Sequence, residues 1–453
     1  MPSRDIEHAV ALAQGTPITE AIDVFDAAQW TGLDRAVREA AGYRPSKLPS
    51  FAWAIDRPAR RVTWAWDAPL PSVDLSRRRV HPAPPETEVA LALCHPDGRI
   101  RQAALRRAKG LPALLPLIAI RCADWVEPVR ADARSLLRAA LPGVGHEGIV
   151  ALAAVVLRIS GRQRADVALD LMETALAAGP ASTLDAVLAS GDRAVRRLGH
   201  RLAAERGLFS PARLASIAAT DEDVVVQDLC ASGVLAAVDV TTGDDVLHPL
   251  LRSPYPRVRS AGVTALRRAE RHDEAEPFLT DRSALVRACA RYVLRKAGTD
   301  AAPLYRALCA GPDVAPGAPI GLAECGSRED ADLLWPLTRH PRDGVRARAV
   351  AGLRLLETVD PARLTVLLDD PAPGVVREAA GALVPWAHRL CPAELTERLA
   401  ADRPRHVRAG AFRLLAARGG EAYLEAARRL SGDPDARLRA GALAVLRHEG
   451  TTW

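Results

Sequence analysis

A phrase that recurs at a nearly fixed interval constrains this chain more than any other feature. An apolar residue, then arginine, then two variable positions and an alanine or a near variant, appears as Ile100-Arg101, Val129-Arg130, Val195-Arg196, Val258-Arg259, Val286-Arg287, Val345-Arg346, Val376-Arg377, Val407-Arg408 and Leu438-Arg439. Val226-Gln227 is a variant of it. Successive second members lie 29, 66, 31, 32, 28, 59, 31, 31 and 31 residues apart. Two of these intervals are close to double the others, so a degenerate copy is expected inside each, and the period is about 31 residues. Self-similarity at such a spacing marks a stacked array, in which each unit buries its apolar face only against its neighbours.

Each copy spells two helices. In residues 358–388, Asp360-Pro361 opens the first, Asp369-Asp370-Pro371 breaks it, and Val375-Val376-Arg377-Glu378-Ala379-Ala380 begins the second. Proline suits a first helical turn because its missing N–H has no carbonyl to meet there. Aspartate near that end accepts from the remaining unpaired N–H groups and offsets the dipole. In residues 432–447, Gly432-Asp433-Pro434-Asp435 separates the helices, and Leu438, Ala442, Leu443 and Leu446 fall on one face. The arginine of the phrase is expected along the edge of the stack, reaching an aspartate-bearing turn of a neighbouring repeat. Asp97, Asp192, Asp343 and Asp433 stand just ahead of the phrase as its candidate partners.

With its Asp-x-x-Val-Arg-x-x-Ala signature, the array over residues 86–450 resembles the HEAT-repeat family. The likeness is to the short form of roughly 30 residues found in PBS-lyase HEAT-like proteins. The resemblance implies an all-α fold, a right-handed α-solenoid of about twelve two-helix repeats, with residues 1–85 as an N-terminal capping segment. It implies no particular chemistry, since such arrays serve scaffolds, nucleic-acid enzymes and lyase partners alike. Two stretches depart from the grammar. Around 142–180, Pro142-Gly143-Val144-Gly145-His146 leads into two long apolar helices without a clear phrase. Around 310–326, the run Gly311-Pro312-Asp313-Val314-Ala315-Pro316-Gly317-Ala318-Pro319 replaces the start of a second helix. Each is read as a bend in the superhelix or as a loop that binds something.

The first 85 residues lack the phrase. Residues 5–14 and 17–41 read as helices; a proline-punctuated stretch from Pro45 to Pro85 then carries Trp53, Trp64 and Trp66. Within it Val62-Thr63-Trp64-Ala65-Trp66 alternates as a short strand or extended strip would. A cover for the open end of the stack is the reading adopted, with a tryptophan-rich recognition arm, flanked by Arg77-Arg78-Arg79, as its rival.

The chain of 453 residues is 49% hydrophobic yet only 4% aromatic, so its core is filled by Ala, Leu and Val. No apolar run reaches the roughly 18 residues of a membrane span, and a cytoplasmic protein without membrane contact is expected. Seven scattered cysteines with no Cys-x-x-Cys pair argue against a disulfide framework and a zinc site; Cys230 and Cys289 read as small core residues. The net charge is +6, and only Lys47, Lys109 and Lys296 are lysines, an arginine bias that a GC-rich coding sequence also produces.

No phosphate-binding glycine loop, nucleophile elbow or His-Glu-x-x-His pair is present. HEAT-like hydroxylases hold two irons through several His-Glu dipeptides, whereas here only His146-Glu147 and His448-Glu449 occur. The HEAT-like DNA glycosylases are loosely matched by Asp124-Trp125 beside Arg130 and Arg134, and by the spacing of Trp30 and Asp34, but their tandem Trp-Trp-Asp element is missing. Nothing marks a tetrapyrrole site. No catalytic residue, metal or cofactor is therefore expected.

Binding residues are sought instead on the second helices, whose late positions are often basic. The candidates are Arg106, Arg107, Arg138, Arg201, Arg267, Arg268, Arg295, Lys296 and Arg413, with Trp125 and Trp335 as aromatic neighbours. Cations near helix C-termini are also what the macrodipole favours. The reading that follows is a non-catalytic protein–protein interaction scaffold or adaptor using a curved repeat surface. The alternative is a nucleic-acid-binding protein with an arginine-lined concave groove, a HEAT-like DNA glycosylase being one form of it.

Overall fold

A computed structural model of the chain describes residues 4–41 and 85–449. Among the described residues every regular element is helical, α or 3-10, and there is no strand. The expected strip at Val62–Trp66, the tryptophans at 53, 64 and 66, and Arg77 to Arg79 lie outside the described residues. The chain forms two compact units: Met1–Ser210 with Glu222–Leu229, and Pro211–Asp221 with Cys230–Trp453.

Aligning the second helices on their first residue shows why the phrase recurs. The fourth residue is Arg101, Arg130, Leu169, Arg196, Gln227, Arg259, Arg287, Ile320, Arg346, Val376, Arg408 and Arg439 in turn, so twelve helix pairs are described. The two degenerate copies are the helices Asp166–Ala178 and Gly317–Ala323, with Leu169 and Ile320 at the arginine's position. They split the long intervals into 39 and 27, and into 33 and 26 residues. The third residue is apolar and buried in every copy, from Ile100 and Val129 through Val345 and Val407 to Leu438. Burying each valine, isoleucine or leucine among them contributes about 1.5–3 kcal/mol to holding one pair on the next.

One copy corrects the register read from sequence. In Pro373–Leu383 the buried valine is Val375, and Val376 sits 1% exposed at the arginine's position, while Arg377 is 71% exposed. The spacing here is therefore 30 and 32 residues rather than 31 and 31.

The arginine itself has two tasks. In most copies its Nη1 donates back to the carbonyl six residues earlier, within its own inter-helix turn, while Arg408 reaches the Arg403 carbonyl instead. Arg101 reaches His95 at 2.8 Å, Arg259 reaches Ser253 at 2.9 Å, Arg287 reaches Asp281 at 2.7 Å and Arg346 reaches His340 at 2.9 Å. Its Nε and Nη2 form a fork on a carboxylate of the following turn. Asp124 takes Arg101 at 2.9 and 2.7 Å, Asp281 takes Arg259 at 2.9 and 2.9 Å, Asp370 takes Arg346 at 2.8 and 2.9 Å, and Asp433 takes Arg408 at 2.9 and 3.0 Å. Such two-pronged, charge-assisted pairs suit arginine's planar geometry.

Each of these aspartates stands three residues ahead of the next second helix. There its Oδ1 also accepts the backbone N–H two residues on, from Val126, Ser283, Ala372 and Asp435 at 2.7 to 2.9 Å. Of the four aspartates proposed from sequence, only Asp433 serves in this way. Asp97 and Asp192 instead cap their own helices, accepting from Arg99 at 2.8 Å and from Ala194 and Val195 at 2.8 and 3.1 Å. Asp343 accepts from the Gly344 N–H. Where Val376 replaces the arginine, the aspartate in the matching place, Asp402, is exposed and pairs with nothing among the described residues. Arginine and acid form a rung only where both are present.

The helices Arg4–Ala13 and Ala27–Ala41 pack on each other, and the second also contacts Leu115–Arg121 and His146–Ile159. Trp30 is fully buried there and donates Nε1–H to the Val24 carbonyl at 3.0 Å. Asp34 is buried beside it, accepting from Arg121 and from Arg38 at 3.2 Å. The Trp30 and Asp34 spacing thus belongs to packing. Cys230 is buried and Cys289 half-buried.

Candidate functional site

Of three concavities of similar size among the described residues, one of about 600 Å³ opens in the second unit beside Arg291, Glu324, Arg328 and Glu357, and two lie in the first unit. The larger of these two is an apolar groove of about 690 Å³. Its walls come from the turn carrying Val24 and Phe25, from Leu111, Pro112, Leu115 and Ile118, from Leu136 and Ala139 near the end of Glu127–Ala140, and from Val144 and Leu152. Lys109 is the one charged residue lining it among the described residues. Phe25 is 60% exposed at its edge. Gly143 and Gly145 line it where an added Cβ would meet no atom within 4 Å, so the Pro142-to-His146 departure from the repeat leaves open space. A cleft this apolar, with a single cation at its edge, takes an apolar ligand or the apolar face of a helix.

The smaller concavity of the first unit, about 650 Å³, opens between Arg130 and Arg134 of the Glu127–Ala140 helix and the Ser160-to-Asp166 turn with its Arg162 and Arg164. Arg134 donates to the Cys122 carbonyl at 3.1 Å and to the Arg164 carbonyl at 2.7 Å. Arg162 lies 3.7 Å from Asp34. Arg164 has φ 69, a left-handed backbone rare outside glycine, and its exposed side chain has no partner among the described residues.

The residues singled out from sequence are distributed differently. In the first unit Arg106, Arg107 and Arg138 are exposed on the helices Gly98–Ala108 and Glu127–Ala140, which pack together. Trp125 is 66% exposed, with the Arg101 guanidinium 5.7 Å from its ring centre. Arg201 is neutralised by Glu173 and by Glu205 at 3.2 Å. In the second unit Arg267 and Arg295 are exposed, Arg268 donates to the Leu235 carbonyl, and Lys296 lies 5.9 Å from the Tyr292 ring centre. Trp335 is half-buried against the core, with Arg363 stacked 3.8 Å from its ring centre. Arg413 is exposed and shares the Gly381 face with Arg354. None of these eleven lines the groove or the arginine-walled concavity. Sequence reasoning missed the groove residues, whose walls come from four separated segments. The basic turn Arg162-Gln163-Arg164, set where other copies carry aspartate, was a visible signal for the second concavity.

No family model and no curated protein matches the chain. Among solved structures it is similar to the karyopherin Kap121p, with 14% identity over 79% of this chain and 48% of that chain, at a TM-score of 0.32. It is similar to Kap121p bound to Nup53p, with 14% identity over 78% and 48% at a TM-score of 0.32. It is also similar to Kap95p in its complex with RanGDP, with 12% identity over 95% and 62% at a TM-score of 0.35. The chain thus spans about half the length of the Kap121p structures. The fold rests on the helix pairs described above. No helix among the described residues is long and apolar enough to cross a membrane.

Proposed function

We propose that the chain is a non-catalytic binding scaffold of the short HEAT-like kind. Its groove holds an amphipathic segment of a protein partner, apolar on the face that enters and acidic beside Lys109. The observation that carries this reading is the groove: an apolar cleft with exposed Phe25 at its edge and one cation is the chemistry of helix-in-groove recognition. Stacked repeats supply the rigid walls that such a site needs.

The test is anisotropy of a labelled amphipathic helical peptide, with leucines on one face and glutamates on the other. Binding to the full chain is expected, and Ala139→Glu, which sets a charge on an exposed groove wall, abolishes it while the fold is kept. Failure of the wild-type chain to bind, or binding that Ala139→Glu leaves intact, rejects the groove. Tight binding of duplex DNA with a steep salt slope would instead favour the nucleic-acid alternative.

A further inference from the structure

Arg130 occupies the fourth position of its helix, as the rung arginines do, and holds its own turn in the same manner. Its Nη1 donates to the Asp124 carbonyl, six residues back, at 2.7 Å. Its Nε and Nη2 make no hydrogen bond or ion pair among the described residues. In four other rungs this fork carries a carboxylate from a residue three ahead of the next second helix. The next second helix here is Asp166–Ala178, and the residue three ahead of it is Gln163. Gln163 is exposed and has no partner among the described residues, and it is flanked by two further arginines. Where the rung's acid would stand there is the concavity of about 650 Å³, lined by Arg130, Arg134, Arg162 and Arg164, with Asp166 the one acid among the described residues that line it.

We propose that this incomplete rung is a binding site for an acidic side chain of another polypeptide, whose carboxylate takes the fork of Arg130 as Asp124 takes that of Arg101. The carboxylate is assigned over phosphate because the same fork, anchored by the same backward hydrogen bond, holds an aspartate at Asp124, Asp281 and Asp370, and holds Asp433 with its anchor on the Arg403 carbonyl. The other three arginines add the field that draws an anion to the opening. Trp125 stands at the same turn, its carbonyl 3.5 Å from Arg130 Nη1 and its ring largely exposed, offering apolar surface to the chain that bears the acid. The site stands apart from the groove, and either can fail without the other.

Three variants that lower the net charge equally provide the test: Arg130→Ala, Gln163→Asp and Arg377→Ala. Gln163→Asp restores the missing acid, so the fork closes on the chain's own carboxylate. A labelled decaglutamate peptide is titrated by anisotropy against the full chain and each variant, with circular dichroism to confirm folding. Arg130→Ala and Gln163→Asp are expected to weaken binding about tenfold or more, while Arg377→Ala stays within about twofold of wild type. If Arg130→Ala disturbs the fold, Gln163→Asp carries the test alone. Equal loss in all three variants, no binding by the wild type, or tighter binding of inorganic phosphate or duplex DNA than of the peptide overturns the assignment.

Discussion

The helices Gly317–Ala323 and Asp166–Ala178 have both lost the repeat's arginine, and in both the position three residues ahead carries no acid, being Val314 in one and Gln163 in the other. The arginine that precedes each meets a different outcome. Arg287 turns its fork to Glu324, at the far end of the short helix, with Nε at 3.1 Å, and Arg291 joins the same carboxylate at 2.6 Å. That helix is buried along its whole length, and Gly317 and Gly321 lie against Thr280 and Tyr305 with no room for a Cβ. At the other junction the first helix, His146–Ile159, is long, the turn is basic, and Arg130 keeps an empty fork beside a cavity. An acid for the rung can come from a different place in the sequence provided it reaches the same point in space. One degenerate copy supplies it and the other does not, although a concavity opens beside each.

The sharpest break in this contrast is Glu324→Gln. It leaves Arg287, nearly fully buried, and Arg291 without a counter-charge, and is expected to lose about 3–5 kcal/mol, read from the urea midpoint and slope. The steric half of the comparison follows. Gly321→Ala sets a Cβ well inside 3.0 Å of the Tyr305 ring and should lose about 1–3 kcal/mol. Gly161→Ala, in the open turn with no atom within 4 Å, should change stability by less than about 0.5 kcal/mol. Equal effects would remove the distinction between the close-packed helix of one copy and the roomy turn of the other. Gln163→Asp should raise stability by about 1 kcal/mol, seen as a higher melting temperature, by completing a partly exposed rung.

A fourth measurement concerns a neighbouring ion pair. Arg197 forks onto Asp223 at 2.8 and 2.9 Å, and this hydrogen bonding lowers the carboxyl to about 2 against the ordinary value. Because the folded-state carboxyl stays ionised below the pH at which the unfolded one protonates, about 3.9, the pair contributes in full above that pH. The contribution fades as pH falls toward about 2. Arg197→Ala should return Asp223 toward the ordinary range in an NMR titration, and an unmoved carboxyl would assign the shift to its backbone partner Val225.

Much of the fold was legible because the arginine of the phrase repeats with its helix. Two long intervals announced a degenerate copy inside each, but not that Leu169 and Ile320 stand at its arginine position. The slip at Val376-Arg377 arose because Val375 and Val376 both satisfy the pattern, and only packing decides which is buried. The partner aspartates were misassigned for a similar reason. Asp97 and Asp192 lie close to their helices and cap them, whereas the rung's acid lies three residues ahead, and spacing alone does not say which carboxylate faces a neighbour. The groove was illegible because its walls meet only after folding. The arginine concavity was half visible: the basic turn stands in the sequence, but the empty fork that gives it meaning appears only against the filled ones.

Each completed rung fastens two consecutive turns, so a turn cannot open without releasing its neighbour's arginine. In a one-dimensional array this coupling sets how far a local opening spreads. The junction at Arg130 lacks the carboxylate rung and is spanned by Arg134 through the Cys122 and Arg164 carbonyls, so within the first unit it is expected to couple its two sides more weakly. Amide protons of Asp166–Ala178 should therefore exchange with solvent on a timescale of their own, and an acid seated on Arg130 would bring the two sides back into step.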